Sequence, residues 1–330
     1  MKRFGEAAAF LTADGGRTWR RFATEPYVTT FLDPTQALTV DLGQAMRFGI
    51  SGDGGRTWQT CPQPVALTGL NLRIRPDGAI LEGPFFLDSA NGWWSGIQAG
   101  SSRHALWRTA DGGRTWSDLV PAGLPGQDVP LPQPVFVDAL RGALAVVAAG
   151  SNPWSSLLAT RDGGSSWTPV TLAWPQLSAP PGPGSIVQPA LWAHGNRLIL
   201  SLDMALGSPG PSQKFEHRLS VSEDGGLTWG PWAPMPPTNT PTTGMVFNDA
   251  GALLLADGRR LWSSSDLGQT WHSRPLPSMA GNLSAMISAR ARVLFLITVS
   301  TASSSPTVRL MRSLNGGDHW TEIPLPAATA

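Results

Sequence analysis

Short apolar runs come in pairs along most of the chain, each pair broken by a few glycine or polar residues. "PFFLDSANGWWSGIQAG" (84–100), "PVFVDALRGALAVVAAG" (134–150), "ALWAHGNRLILSLDM" (190–204), "GMVFNDAGALLLAD" (244–257) and "SAMISARARVLFLITVS" (284–300) each read as two strands, a and b, joined by a tight turn. A third β-prone stretch, c, follows: "HALWRT" (104–109), "SSLLAT" (155–160), "HRLSVS" (217–222), "RRLWSS" (259–264) and "TVRLMR" (307–312). Helical periodicity is absent, so the pattern predicts an all-β protein.

A recurring box follows the third strand. "TADGGRTW" stands at 12–19 and again at 109–116, with looser copies "SGDGGRTW" (51–58), "TRDGGSSW" (160–167), "SEDGGLTW" (222–229), "SSDLGQTW" (264–271) and "SLNGGDHW" (313–320). Its third positions are Asp14, Asp53, Asp111, Asp162, Asp224, Asp266 and Asn315. Asp accepts backbone N–H groups ahead of it in an Asx-type turn, and Gly supplies the positive φ of a tight hairpin. The Ser or Thr two residues earlier and the Thr four residues later bond across that hairpin, while Trp covers the blade edge as an apolar plate. Trp then opens a fourth strand, d, which usually ends at Pro. The box is thus a structural staple between c and d.

Boxes 39 to 62 residues apart, with strands between them, indicate the blades of a β-propeller. The expected architecture is one domain, 1–330, of four-stranded antiparallel blades: six complete blades and, at the N-terminus, the outer hairpin of a seventh. Asp14 leaves room before it for strand c alone, and nothing after "TEIPLP" (321–326) supplies the missing a and b. Either an upstream piece is missing or the ring closes imperfectly.

The pattern S/T-x-D-x-G-x-T-W resembles the Asp-box or BNR repeat of the sialidase-like propeller superfamily. "FFLDSANGWWSG" (85–96) is further similar to the F-x-D-x-x-x-G-W stretch of photosystem II stability/assembly factor-like proteins, with "FVDALRGALAV" (136–146) a weaker echo. The resemblance implies box residues that are structural and remote from any active site. It also implies a non-catalytic binding scaffold and a location outside the cytoplasm, in a bacterium.

Composition narrows the partners. Glycine (37) and proline (30) make up about a fifth of the chain, which with 41% apolar residues and 15 Trp describes a turn-rich globule. A net charge of +1 and no basic run longer than two residues argue against nucleic acid. The single Cys61 excludes an intrachain disulfide, no segment has the length of a membrane span, and Ala7–Leu11 is too short for a signal-peptide core. The expected state is a monomer that binds a protein or glycan.

Antiparallel order puts the a–b and c–d turns at one end of each blade and the b–c and d–a connections at the other. Long insertions at the latter end, such as 120–134, 173–189 and 203–218, make it the expected binding face. Its candidates are Trp154 and Trp174 as stacking residues, with Asp128 and Asp203 as the carboxylates nearest the long loops. Asp33, Asp88, Asp138 and Asp249 recur just after strand a and read as turn residues.

The alternative is a glycoside hydrolase of sialidase or xyloglucanase type. By resemblance, a sialidase needs an arginine triad, a Tyr nucleophile paired with Glu, and an Arg-Ile-Pro motif ahead of the first box. Here the only tyrosine, Tyr27, has no identifiable Glu partner, and "LRIRPDG" (72–78) inserts Arg75 and follows two boxes. His104, His194, His217, His272 and His319 show no metal-ligand spacing, and no phosphate or dinucleotide loop occurs. Neither cofactor nor metal is expected, and no catalytic residue is assigned.

Overall fold

The computed structural model describes residues 10–12, 14, 17–21, 28–31, 35–41, 47–61, 84–97, 104–124, 132–146, 156–173, 175–177, 186–207, 214–236, 245–248, 251–257, 259–277, 282–289, 292–300 and 307–325. Among them every regular element is a strand. A two-stranded sheet, β1 (Phe10–Leu11) and β2 (Arg20–Arg21), precedes six four-stranded ones. The first of these is β3 (Val28–Phe31), β4 (Ala37–Asp41), β5 (Arg47–Ser51) and β6 (Gln59–Cys61); the second is β7 (Phe85–Phe86), β8 (Gly92–Ile97), β9 (His104–Thr109) and β10 (Ser117–Asp118). The third comprises β11 (Val135–Phe136), β12 (Gly142–Val146), β13 (Ser156–Thr160) and β14 (Thr168–Val170); the fourth, β15 (Ile186–His194), β16 (Arg197–Leu206), β17 (Lys214–Ser222) and β18 (Ala233–Pro234). The fifth is β19 (Met245–Phe247), β20 (Leu253–Ala256), β21 (Arg260–Ser264) and β22 (His272–Pro275), and the sixth β23 (Asn282–Ala289), β24 (Val293–Ser300), β25 (Thr307–Ser313) and β26 (Thr321–Ile323). Each sheet is a meander in which chain neighbours pair, the blade architecture of a β-propeller.

Two compact units divide the chain: residues 1–172 with 191–198 and 222–228, and residues 173–190 with 199–221 and 229–330. In the first, Trp93, Leu106, Phe136, Leu144, Leu158 and Trp167 form a core in which Trp93 stacks on Phe136 at 3.7 Å. In the second, Leu254, Leu261, Leu294, Leu296 and Met311 pack together. Strands β12 and β20 are buried along their whole length. A strand covered on both faces needs no polar alternation, which is why these segments read as continuous apolar runs. The fourth strands are mostly exposed, and they carry Pro169, Pro234 and Pro275, residues an edge strand tolerates because its outer N–H positions have no partner.

The F-x-D-x-x-x-G stretch has a local explanation. Asp88 Oδ1 accepts the N–H groups of Ala90 and Asn91, and Asp138 Oδ1 those of Leu140 and Arg141, closing the first hairpin of sheets two and three. A Cβ on Gly92 or Gly142 would lie 2.6 Å from the Phe86 ring or 2.7 Å from the Phe136 ring, so only glycine leaves the ring its place. In sheet five the acceptor is Asn248, which takes the N–H of Ala252; Asp249, one position on, lies outside the described residues, as does Asp33.

Candidate functional site

The boxes share one build at the turn before the last strand of each sheet. In the second sheet Asp111 Oδ1 accepts the Thr115 N–H at 2.9 Å and the Thr109 hydroxyl at 2.8 Å, and Oδ2 accepts the Thr115 hydroxyl at 2.6 Å. Thr109 Oγ1 in turn accepts the Gly113 N–H, a buried bond. Asp53, Asp162, Asp224 and Asp266 repeat all of these bonds, and Asp14 repeats those to its own carboxylate. Asn315 takes the Ser313 hydroxyl and the His319 N–H on its single oxygen. Each indole stands just before the fourth strand, not at its start as the sequence pattern suggests. There Trp116, Trp167, Trp271 and Trp320 donate Nε1–H back to the carbonyl of the glycine three residues earlier. That bond holds the ring over its own turn, and the strand begins at the following residue; after Trp229 it begins only at Ala233.

These contacts hold the carboxyls in the ionised state. For Asp266 the Thr270 hydroxyl and N–H, with the Ser264 hydroxyl, depress the pKa to about 2. At Asp224 burial pushes upward, but the Thr228 and Ser222 bonds outweigh it and again leave about 2. Asp14 and Asp53 are lowered by Thr18 and Thr57. Burial opposes the shift at Asp111 and Asp162, and the hydroxyl and N–H donors still prevail.

Of the residues placed at the opposite end by sequence, Asp128, Trp154 and Trp174 lie outside the described residues. Asp203 is described, and it sits on β16 instead of in a loop. The fourth sheet's second hairpin runs further than its polar sequence suggests, to Leu206 on one side and from Lys214 on the other. Asp203 Oδ1 lies 2.7 Å from His217 Nδ1, with the histidine side chain 1% exposed and the aspartate 16%. Alongside, Arg218 donates to Glu216 at 2.7 Å and to the Gln176 carbonyl. Mutual pairing lets these polar groups occupy strand positions. A carboxylate on Nδ1 orients an imidazole as in hydrolytic dyads, but a ring closed off from solvent cannot meet a substrate. The sequence held no local signal for the pair, whose members lie fourteen residues apart.

A second feature stands at the box end of the same sheet, where His194, Gly195, Asn196, Arg197 and Glu223 line an open depression of about 400 Å³. Asn196 fixes its walls: Oδ1 accepts from Arg141 Nη2 at 2.5 Å, and Nδ2 donates to the Glu223 carbonyl at 3.0 Å. Asp138 holds the same arginine through Nε at 2.7 Å. Arg197 meets the Glu223 carboxylate through Nε alone, at 3.2 Å. Among the described residues no three His, Cys, Asp or Glu side chains gather to hold a metal.

Against known proteins, no family model matches the chain and no curated protein matches it. Solved structures do. A structure of YCF48 bound to a D1 peptide superposes with a TM-score of 0.54 at 15% identity, over 97% of this chain and 85% of that one. A polysaccharide lyase of family PL25, an ulvan lyase, gives 0.51 at 11% identity, over 88% and 80%. The fold is a β-propeller. At these identities the likeness speaks for fold alone.

Proposed function

We propose that this protein is a non-catalytic β-propeller binding module of the Asp-box or BNR type, with β1 and β2 the outer hairpin of an incomplete blade. It takes an extended peptide on the loops at the sheet ends away from the boxes. One observation carries the non-catalytic half. Most carboxylates whose side chains are described are already engaged within the chain: the box aspartates, Asp88, Asp138 and Asp257 by turn donors, Asp118 by the Val120 N–H, Asp203 by His217, and Glu216, Asp318 and Glu322 by arginines, with Glu223 held by Arg197 through one oxygen only. Glycoside hydrolysis needs an acid with a raised pKa beside a free carboxylate, whereas among the described residues the carboxyl pKa departures all run downward. The peptide half is taken from the YCF48 complex, a propeller of the same fold that binds one.

The test pairs binding with turnover. The full chain is titrated with an array of extended peptides and, separately, incubated with a fluorogenic sialoside and a β-glucan oligosaccharide. Saturable peptide binding without hydrolysis is expected, weakened by Trp154→Ala or Trp174→Ala. Hydrolysis of the sialoside, lost in Tyr27→Phe, would replace this reading with the glycosidase one.

A further inference from the structure

The depression at the box end of the fourth sheet differs from the corresponding turns of sheets two and three. There, an aspartate consumes the donors of the turn: Asp88 takes the Asn91 side-chain amide, and Asp138 takes Arg141 Nε. The fourth sheet turns through His194, Gly195, Asn196 and Arg197, with Gly195 at φ +57°, and has no carboxylate of its own. Among the described residues its arginine is therefore engaged only by Glu223, through Nε. Neither Nη group of Arg197 and no second oxygen of Glu223 has a partner among the described residues.

The pair is also easy to open. Arg197 is 46% exposed and Glu223 68%, and ion pairs so exposed contribute about 0–1 kcal/mol. The wall behind them is fixed, because Asn196 is bonded on both its amide atoms to neighbouring turns. A half-exposed guanidinium whose Nη groups have no described partner, beside a rigid polar wall, suits one kind of group, a carboxylate bound through two parallel N–H donors. Glu223, left with an open oxygen, suits a donor next to that carboxylate. The volume, about 400 Å³, falls within the range of small-ligand sites, and its polar lining favours a charged group over an apolar one.

We infer that this depression is a carboxylate-binding site in which the Arg197 fork holds the acid and Glu223 accepts from an adjacent hydrogen-bond donor. Two sources share that chemistry, a peptide C-terminus with its own N–H and a uronate with its ring hydroxyl. The site stands apart from the loops invoked for peptide binding, so its failure leaves that reading untouched.

The experiment titrates the full chain at low ionic strength with N-acetylglycine, with a methyl glucuronide, and with uncharged N-acetylglycinamide, following saturation-transfer NMR. Millimolar binding of at least one acid, and none of the amide, is expected, and the tighter acid assigns the source. Arg197→Ala should weaken binding at least about tenfold and Arg197→Lys about threefold, because lysine keeps charge but not the fork. Arg114→Ala, at an exposed arginine of the third box, should change nothing. The site is refuted if neither acid binds, if the amide binds equally, or if Arg114→Ala costs as much as Arg197→Ala; unchanged thermal unfolding of each variant separates these outcomes from misfolding.

Discussion

Asn315 shows what a carboxylate adds to the other six turns. In each aspartate box the residue four positions on is Thr or Ser, and its hydroxyl donates to Oδ2. In the last box that position is His319, which offers the turn only its N–H, and an amide oxygen is enough. The second carboxylate oxygen is needed only where a hydroxyl waits for it. Asp111→Ala removes two acceptor oxygens, and with them three hydrogen bonds, from one turn and should destabilise the protein by about 1–3 kcal/mol in chemical denaturation, with Asp111→Asn costing less. The same bonds predict acid behaviour. Asp224 and Asp266 have folded pKa values of about 2, below the roughly 3.9 of an unfolded aspartate. Their contribution is complete above about pH 4 and drains away as pH falls through 2. Thermal midpoints should drop over that window, less steeply in Asp266→Asn; a flat profile would contradict the hydrogen-bonded turn.

At the scale of elements, the glycine at the fifth position of the box joins turn to neighbouring strand. A Cβ on Gly268, at φ +87°, would come within 2.5 Å of Leu219, a buried residue of β17, and one on Gly164 within 2.9 Å of Leu106 on β9. Gly195, at φ +57°, has open space around it. Alanine should therefore cost about 1 kcal/mol at Gly195, from backbone alone, and about 2–4 kcal/mol at Gly268, where overpacking adds to strain. Equal losses in urea unfolding would show that the Leu219 contact carries no weight. Strands and turns of this kind were legible because their signals are local: a paired apolar run, a Phe two residues before Asp, a box. Extents were less so. The hairpin β16–β17 reads as a loop from Asp203 to Arg218, because the pairings that let Asp203, Glu216 and His217 stay in strands join residues distant in sequence. For the same reason the carboxylate site at Arg197 had no motif, since it arises where a turn lacks the aspartate that its counterparts possess.

Charge balance acts at the scale of the whole molecule. Twenty-four basic residues face 23 acidic ones, and many of the arginines are individually occupied, Arg141 by Asp138, Arg218 by Glu216 and Arg309 by Glu322. A net charge of +1 supplies no strong overall field to steer or hold a charged polymer. A partner bound at the long loops must then be held by stacking, apolar contact and uncharged hydrogen bonds, which ionic strength barely touches. Raising salt from about 50 to about 200 mM should change the affinity for a bound peptide by less than about threefold, against the roughly thousandfold or greater loss typical of phosphate-tracking proteins. Over the same range the weak binding of a carboxylate at Arg197 should fall visibly, because that contact is a surface ion pair. A steep salt dependence of peptide binding that disappears in Arg197→Ala would move the peptide from the long loops to the box end of the fourth sheet, and a steep dependence that survives the substitution would require a charged surface elsewhere.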